Sequence, residues 1–175
     1  KWCLGQEIDI DGRDNNGWTA LIHATCEERD NCVEMLIGAG AEVEVRDDDG
    51  KTALIHAAYW GRENCVKILI DAGADIEVRD DIGKTALIHA ASEGHGDYVE
   101  MLVDMGADVN ARDNNGRTAL MHAARYGYEN CVQRLVDAGA DIDGRDNNGW
   151  TAFIHAARWG YENCVNILKQ AGVKE

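Results

Sequence analysis

Apolar and polar positions fall into blocks that return along the whole chain. The block beginning at Gly50 reads GKTALIHAAYWGRENCVKILIDAGADIEVRDDI. Its first apolar stretch, Thr52 to Tyr59, is rich in good helix formers, with Leu54, Ile55, Ala57 and Ala58 supplying small contacts, and predicts a short first helix. Gly61 breaks the run. Cys65, Val66, Ile68, Leu69 and Ile70 then recur at helical spacing between Glu63, Asn64 and Lys67, predicting a second helix with one apolar stripe that Gly73 ends as a left-handed cap. Ala74 to Gly83 is extended, polar and turn-rich, and reads as a hairpin-like finger leading to the next helix pair.

The block restarts at Gly17, Gly50, Gly83, Gly116 and Gly149, a fixed period of 33 residues that needs no gap. A repeat of this length marks a solenoid of units that cannot bury their apolar faces alone. One elongated domain over 1–175 is therefore expected: a remnant at 1–16, full units at 17–49, 50–82, 83–115 and 116–148, and a partial, capping unit at 149–175. Lys1 to Gly5 aligns with Glu34 to Gly38, so the chain is expected to open inside a second helix. Lys169-Gln170 replaces the Ile-Asp or Val-Asp of inner units, a polar change expected where an outer face meets water. Glu28 stands where later units have Gly61, Gly94, Gly127 and Gly160, at a turn expected to need positive φ, which makes the first unit the expected soft point.

The motifs G-x-T-A-L-I-H-A-A-x-x-G, V-x-x-L and A-G-A-D-I-x-x-R-D resemble the ankyrin repeat across nearly the whole chain. The resemblance implies an all-α fold, an ankyrin-type solenoid of stacked helix-turn-helix repeats linked by hairpin-like fingers. This chain departs from the family's T-P-L-H tetrapeptide. Ala20, Ala53, Ala86, Ala119 and Ala152 replace its proline, Ile22, Ile55, Ile88, Met121 and Ile154 replace its histidine, and the histidines fall one residue later. The family's threonine-to-histidine hydrogen bond is therefore not expected at Thr19, Thr52, Thr85, Thr118 or Thr151, and the apolar substitutes should pack without a partner.

Composition narrows the function. A formal net charge of −15 opposes general association with DNA or anionic membranes. No apolar run approaches the length of a membrane span. Cys32, Cys65, Cys131 and Cys164 share one site in the second helix and read as reduced core thiols, because stacked helices about 8–10 Å apart are too distant for a disulfide. Reduced thiols point to an intracellular, cytoplasmic setting. His23, His56, His89, His122 and His155 form one column, one per unit, read as semi-buried helix positions too far apart to share a metal. No cofactor or metal is expected. No nucleophile elbow, P-loop or metalloprotease motif is present, so no catalytic residue and no enzyme activity are expected.

Residues that hold a stack together must match from unit to unit, so positions that vary are candidate binding positions. Two columns vary: Trp18, Lys51, Lys84, Arg117 and Trp150, and the pairs Cys26-Glu27, Tyr59-Trp60, Ser92-Glu93, Arg125-Tyr126 and Arg158-Trp159, placed just after the first helix. The resemblance implies that both face a concave groove. Aromatic and arginine side chains there are typical anchors for a protein or peptide, with the alternative that the rings merely cover neighbouring helices. Arg13, Arg46, Arg79, Arg112 and Arg145, each followed by Asp, read as a ladder of guanidinium–carboxylate pairs, or as a basic rail for an acidic peptide or phosphate. Asn110, in Asp108-Val109-Asn110, matches the finger motif that the resemblance links to asparaginyl hydroxylation.

The expectation is a monomeric, non-catalytic protein-interaction module with an acidic and apolar ligand. The alternatives are a structural or engineered scaffold without a ligand, and a nucleotide-sensing module using Trp60, Lys84, Tyr126 and Arg158.

Overall fold

The computed structural model describes residues 9–172, so the helical remnant expected at Lys1 to Gly5 lies outside the described residues. Within them the helices follow in pairs: α1 (Ala20–Cys26) with α2 (Asp30–Gly38), α3 (Ala53–Trp60) with α4 (Glu63–Asp71), α5 (Ala86–Glu93) with α6 (Gly96–Asp104), α7 (Ala119–Tyr126) with α8 (Glu129–Asp137), and α9 (Ala152–Trp159) with α10 (Glu162–Gln170). No strand occurs among the described residues, and no helix among them is long and apolar enough to cross a membrane.

The invariant threonine is the cap of each first helix rather than its first residue. Thr52 Oγ1 accepts from the Ile55 N–H at 3.5 Å, and Thr19, Thr85, Thr118 and Thr151 repeat the bond at 3.3–3.4 Å. Such a cap satisfies one of the orphan donors of a helix start and contributes about 1 kcal/mol. At the other end of α3, Gly61 takes φ 67°, and the rings of His95 and Tyr98 from the next unit lie 3.2 Å from where a side chain would begin. Glu28 adopts the same left-handed backbone, φ 56°. Its carboxylate meets Arg62 at 2.7 Å, an exposed pair that only partly offsets the strain.

Helices of eight or nine residues bury little by themselves, so the core forms between units. Leu54, Ile55, Ala57 and Ala58 of α3 and Cys65, Val66 and Leu69 of α4 are completely buried. Of the side chains standing at the family's histidine position, Ile22, Ile55, Ile88 and Met121 are at most 1% exposed and pack without a polar partner, whereas Ile154 in the last unit is 36% exposed. Each buried Leu or Ile stabilises the stack by about 1.5–3 kcal/mol. First helices pack against first helices and second against second, with the first-helix row the tighter. Among neighbouring second helices, α4 and α6 pack most loosely.

The cysteine column divides. Cys65, Cys131 and Cys164 are buried free thiols, whereas Cys32 is exposed on the open side of α2, where no described unit covers it. Burial pushes the Cys65 thiol up to about 12 and those of Cys131 and Cys164 up to about 11.

A finger contains no ladder; it is a turn held by one carboxylate. Asp47 Oδ1 accepts from the N–H groups of Asp49 and Lys51, at 3.0 and 2.8 Å, while Oδ2 accepts from His56 Nε2 at 2.7 Å. The same arrangement recurs at Asp14–His23, Asp80–His89, Asp113–His122 and Asp146–His155, with Oδ2 to Nε2 distances of 2.7–3.1 Å. The histidine column is thus not semi-buried: His56, His89, His122 and His155 are at most 5% exposed, and only His23 in the first unit is open. The Nδ1 atoms of His89, His122 and His155 are buried without a partner, which fits the neutral ring with its proton on Nε2. Adjacent fingers join through single backbone bonds, Asp48 N–H to Asn16 O, Asp81 to Asp49, Asn114 to Ile82 and Asn147 to Asn115, each at 3.0–3.2 Å.

Two predictions follow from these contacts. Glu28→Gly relieves the left-handed backbone and is expected to stabilise the protein by about 0.5–1 kcal/mol in urea unfolding; an unchanged or lower midpoint contradicts it. The second concerns pH. Burial pulls His56, His122 and His155 below their ordinary 6.5, and the Asp bonds only partly offset it. For Asp47, Asp80 and Asp113 burial acts upward, but the histidine bond and the backbone N–H groups outweigh it and hold the carboxyls below the ordinary 3.8. The unfolded chain binds protons more readily at both kinds of site, so stability falls as pH drops below 6.5 and falls again below 3.8. Thermal midpoints measured in roughly 0.5 M salt, which screens the chain's self-repulsion, should show both declines; a flat profile from pH 7.5 to 5 contradicts the histidine part.

Candidate functional site

The variable pairs lie within the last turn of the first helices and at their caps, not after them, because α3, α5, α7 and α9 run one residue further than their pattern predicts, while α1 ends at Cys26 with Glu27 as its cap. Trp60, Tyr126 and Trp159 end α3, α7 and α9 and are 49%, 46% and 56% exposed. The residues just before them stand beside the other column, since residues eight apart on this path meet. Lys84 Nζ donates to Ser92 Oγ at 3.3 Å, and the Arg158 guanidinium lies over the Trp150 ring at 4.9 Å.

The column at the finger base is half-buried throughout and packs over the Asp–His pairs. Trp18 sets its ring edge-on to His23 and His56, with centroids at 5.0 and 4.8 Å, and Trp150 meets His155 at 5.3 Å. Arg117 Nε donates to Asp146 Oδ2 at 3.3 Å, reaching into the next unit's clamp. Tyr59 lies between Trp60, at 5.0 Å, and His89, at 5.8 Å. Tyr126 stacks over His122 at 6.5 Å, with Arg125 at 5.9 Å from its ring. The buried Asp–His pairs are thus the floor beneath the variable side chains. Trp18, Tyr59 and Trp150 cover that floor, while Trp60, Tyr126 and Trp159 keep about half their surface in water.

The cations differ in freedom. Lys51 bonds Asp49 at 3.0 Å; burial lowers its pKa, but that bond and the nearby carboxylates of Asp47 and Asp80 outweigh it and leave it raised. Burial dominates at Lys84 and holds its ammonium below the ordinary 10.5 despite Asp113 and Asp80. Arg125 and Arg158 pack on neighbouring rings, with no carboxylate among the described residues within ion-pair reach. The basic character therefore concentrates between α7 and α9.

The finger arginines do not form the expected carboxylate ladder, because the carboxylates that follow them are already held by histidine and backbone. Arg46 Nη1 donates to Arg79 O at 2.9 Å and Arg112 Nη1 to Arg145 O at 2.7 Å; Arg79 reaches Arg112 O in the same way. Arg145 bonds Gly149 O at 2.8 Å, and Arg13 alone of the column makes an ion pair, with Asp48 at 2.9 Å. Asn110 is exposed and also structural, its side-chain oxygen accepting from the Asp141 N–H at 2.8 Å, as Glu77 does for Asp108 one unit earlier. Among the described residues no three His, Cys, Asp or Glu side chains converge on a metal-sized site. Trp60 and Arg158 belong to units three steps apart, roughly 25–30 Å along a stack of helices, so Trp60, Lys84, Tyr126 and Arg158 do not surround one nucleotide.

The Asp–His clamp was missed in the sequence although its signal is there: Asp and His recur nine residues apart in every unit, from Asp14 and His23 to Asp146 and His155.

Two family models match the chain. The model for ankyrin repeats (3 copies) covers residues 40–113 and 106–174, and that for a single ankyrin repeat covers residues 16–48. No curated protein matches it. Ankyrin repeats are in general protein-interaction modules and typically non-catalytic. Continuous matches from residue 16 to residue 174, together with the paired helices in 33-residue register, place the chain in the ankyrin repeat family.

Proposed function

We propose that the array binds a protein or peptide segment with acidic and apolar residues along the ends of its first helices, without catalysing a reaction on it. The observation that carries this reading is the row of half-exposed Trp60, Tyr126 and Trp159 beside Arg125 and Arg158, at the ends of the first helices. The aromatic side chains offer large contact areas with few rotamers to freeze, and the Asp–His floor holds the surface they stand on, so little order is lost on docking. The ligand's acidic part fits the arginine-rich end between α7 and α9, and its apolar part fits Tyr59 and Trp60 on α3. The array acts as one binding domain and as a monomer, in a reducing cytoplasm where buried thiols persist.

The test is selection from a displayed random-peptide library, with a Trp60→Ala/Trp159→Ala double variant used to remove peptides that bind elsewhere. The retained peptides should be rich in Asp and Glu beside Leu, Phe or Trp. Each single Trp truncation should weaken them roughly 30-fold, about 2 kcal/mol. Enrichment of basic peptides, or affinity indifferent to both truncations, overturns the reading, and failure to select any peptide favours an inert scaffold.

A further inference from the structure

The third unit departs from the others on the opposite face of the stack. Two of the joints between second helices are linked by an asparagine that donates to an acidic side chain one unit back, Asn64 Nδ2 to Asp30 at 2.8 Å and Asn163 Nδ2 to Glu129 at 2.7 Å, whereas Gly96 offers Asn130 no such acceptor. Asp97 stands at the asparagine position of α6, and its counterpart on α4 is Glu63, so no asparagine joins the two helices and both carboxylates turn to cations, Glu63 to Lys67 and Asp97 to Arg134. One residue later, Tyr98 replaces the cysteine of the other four units. Its hydroxyl donates to Gly61 O, and its ring packs with His95 at 5.5 Å against the α3–α4 turn, a wedge where a thiol would leave room for closure. The Tyr98 wedge stands where α4 and α6 pack most loosely of the second-helix neighbours.

The result is an opening of about 320 Å³ between α4 and α6. Met101, Met105 and Tyr98 supply its apolar surface, and Glu63, Asp97, Glu100 and Asp104 ring it. Lys67 and Arg134 touch three of these carboxylates, Lys67 at Glu63 and Arg134 at both Asp97 and Glu100, and leave the rim with an excess of negative charge. Methionine adapts to irregular apolar partners, and carboxylates around a partly enclosed opening favour a cation beyond what exposed pairs achieve.

We propose that this opening is a second binding site, on the face opposite the aromatic groove, for a basic peptide segment that presents Lys or Arg next to an apolar side chain. The cation is drawn by the rim's excess carboxylate charge and pairs with Asp104, which neither Lys67 nor Arg134 touches, and the apolar neighbour covers Met101 and Met105. The acidic rim selects against the acidic ligand of the first-helix face, so the two sites take partners of opposite charge.

The chain's four methionines provide the readout. In protein labelled with ¹³C at the methionine methyls, the probe is acetyl-Leu-Lys-Leu-Arg-Leu-amide, and its Glu/Asp analogue is the control. The basic peptide should shift the Met101 and Met105 signals, leave the buried Met121 unmoved, and lose affinity as salt is raised; the acidic analogue should do nothing there. Tyr98→Cys with Asp97→Asn gives α6 the Asn-Cys pair of the other second helices, removes the wedge and should weaken binding at least tenfold. Glu100→Gln with Asp104→Asn, which leaves the wedge in place, should weaken it several-fold even if the closed variant does not fold. Shifts confined to Met35 on the exposed face of α2, equal response to both peptides, or affinity unchanged in the rim variant overturns the proposal. Trp60→Ala leaves this site intact, so failure of the groove reading and failure of this one are separately visible.

Discussion

A helix of eight or nine residues is too short to persist alone in water, so every element here exists only because a neighbour covers it. That single constraint sets the register. Leu54, Ile55, Ala57 and Ala58 are buried because the units on either side bring matching side chains to them, and a unit displaced by one residue would turn that face away. It also sets the shape: small side chains on the first helices let that row close up, while the bulkier second helices stand further apart. Where one side chain breaks the pattern, as Tyr98 does, the looseness appears at once between α4 and α6.

Burial holds the helices, but polar chemistry holds the fingers. A turn of this length has no ladder to satisfy its N–H groups, and one aspartate carboxylate substitutes for it by accepting two backbone donors and a histidine. The histidine lies on the first helix, so the finger's conformation and the helix's position are tied together. Burying a carboxylate is unfavourable unless its oxygens are bonded; here all of Asp47, Asp80, Asp113 and Asp146 are bonded and buried. The arginines that precede them are then left to bridge carbonyls of successive fingers.

The two faces of the stack follow from the same division of labour. Positions that touch neighbouring units repeat, and positions that meet water are free to differ. On the first-helix side that freedom carries exposed aromatics and arginines over the Asp–His floor. On the second-helix side it carries carboxylates, which gather around the opening between α4 and α6.

Helix pairs, the 33-residue register, the core and the all-α class were legible in the residues themselves, because burial between identical units imposes the same periodicity on each copy. Variable positions could be picked out for the same reason. Tertiary structure decided what the polar side chains do. Spacing alone left Asp47 as partner to its neighbour Arg46, yet it belongs to His56, nine residues away on a helix that folds back over the finger. It likewise decided which rings are covered, since Trp18 and Trp60 are equally aromatic on paper and only three-dimensional packing lays one over histidine and leaves the other in water. Apolar burial is non-directional and so is written in periodicity, whereas a hydrogen bond needs distance and angle, which exist only once the chain has folded.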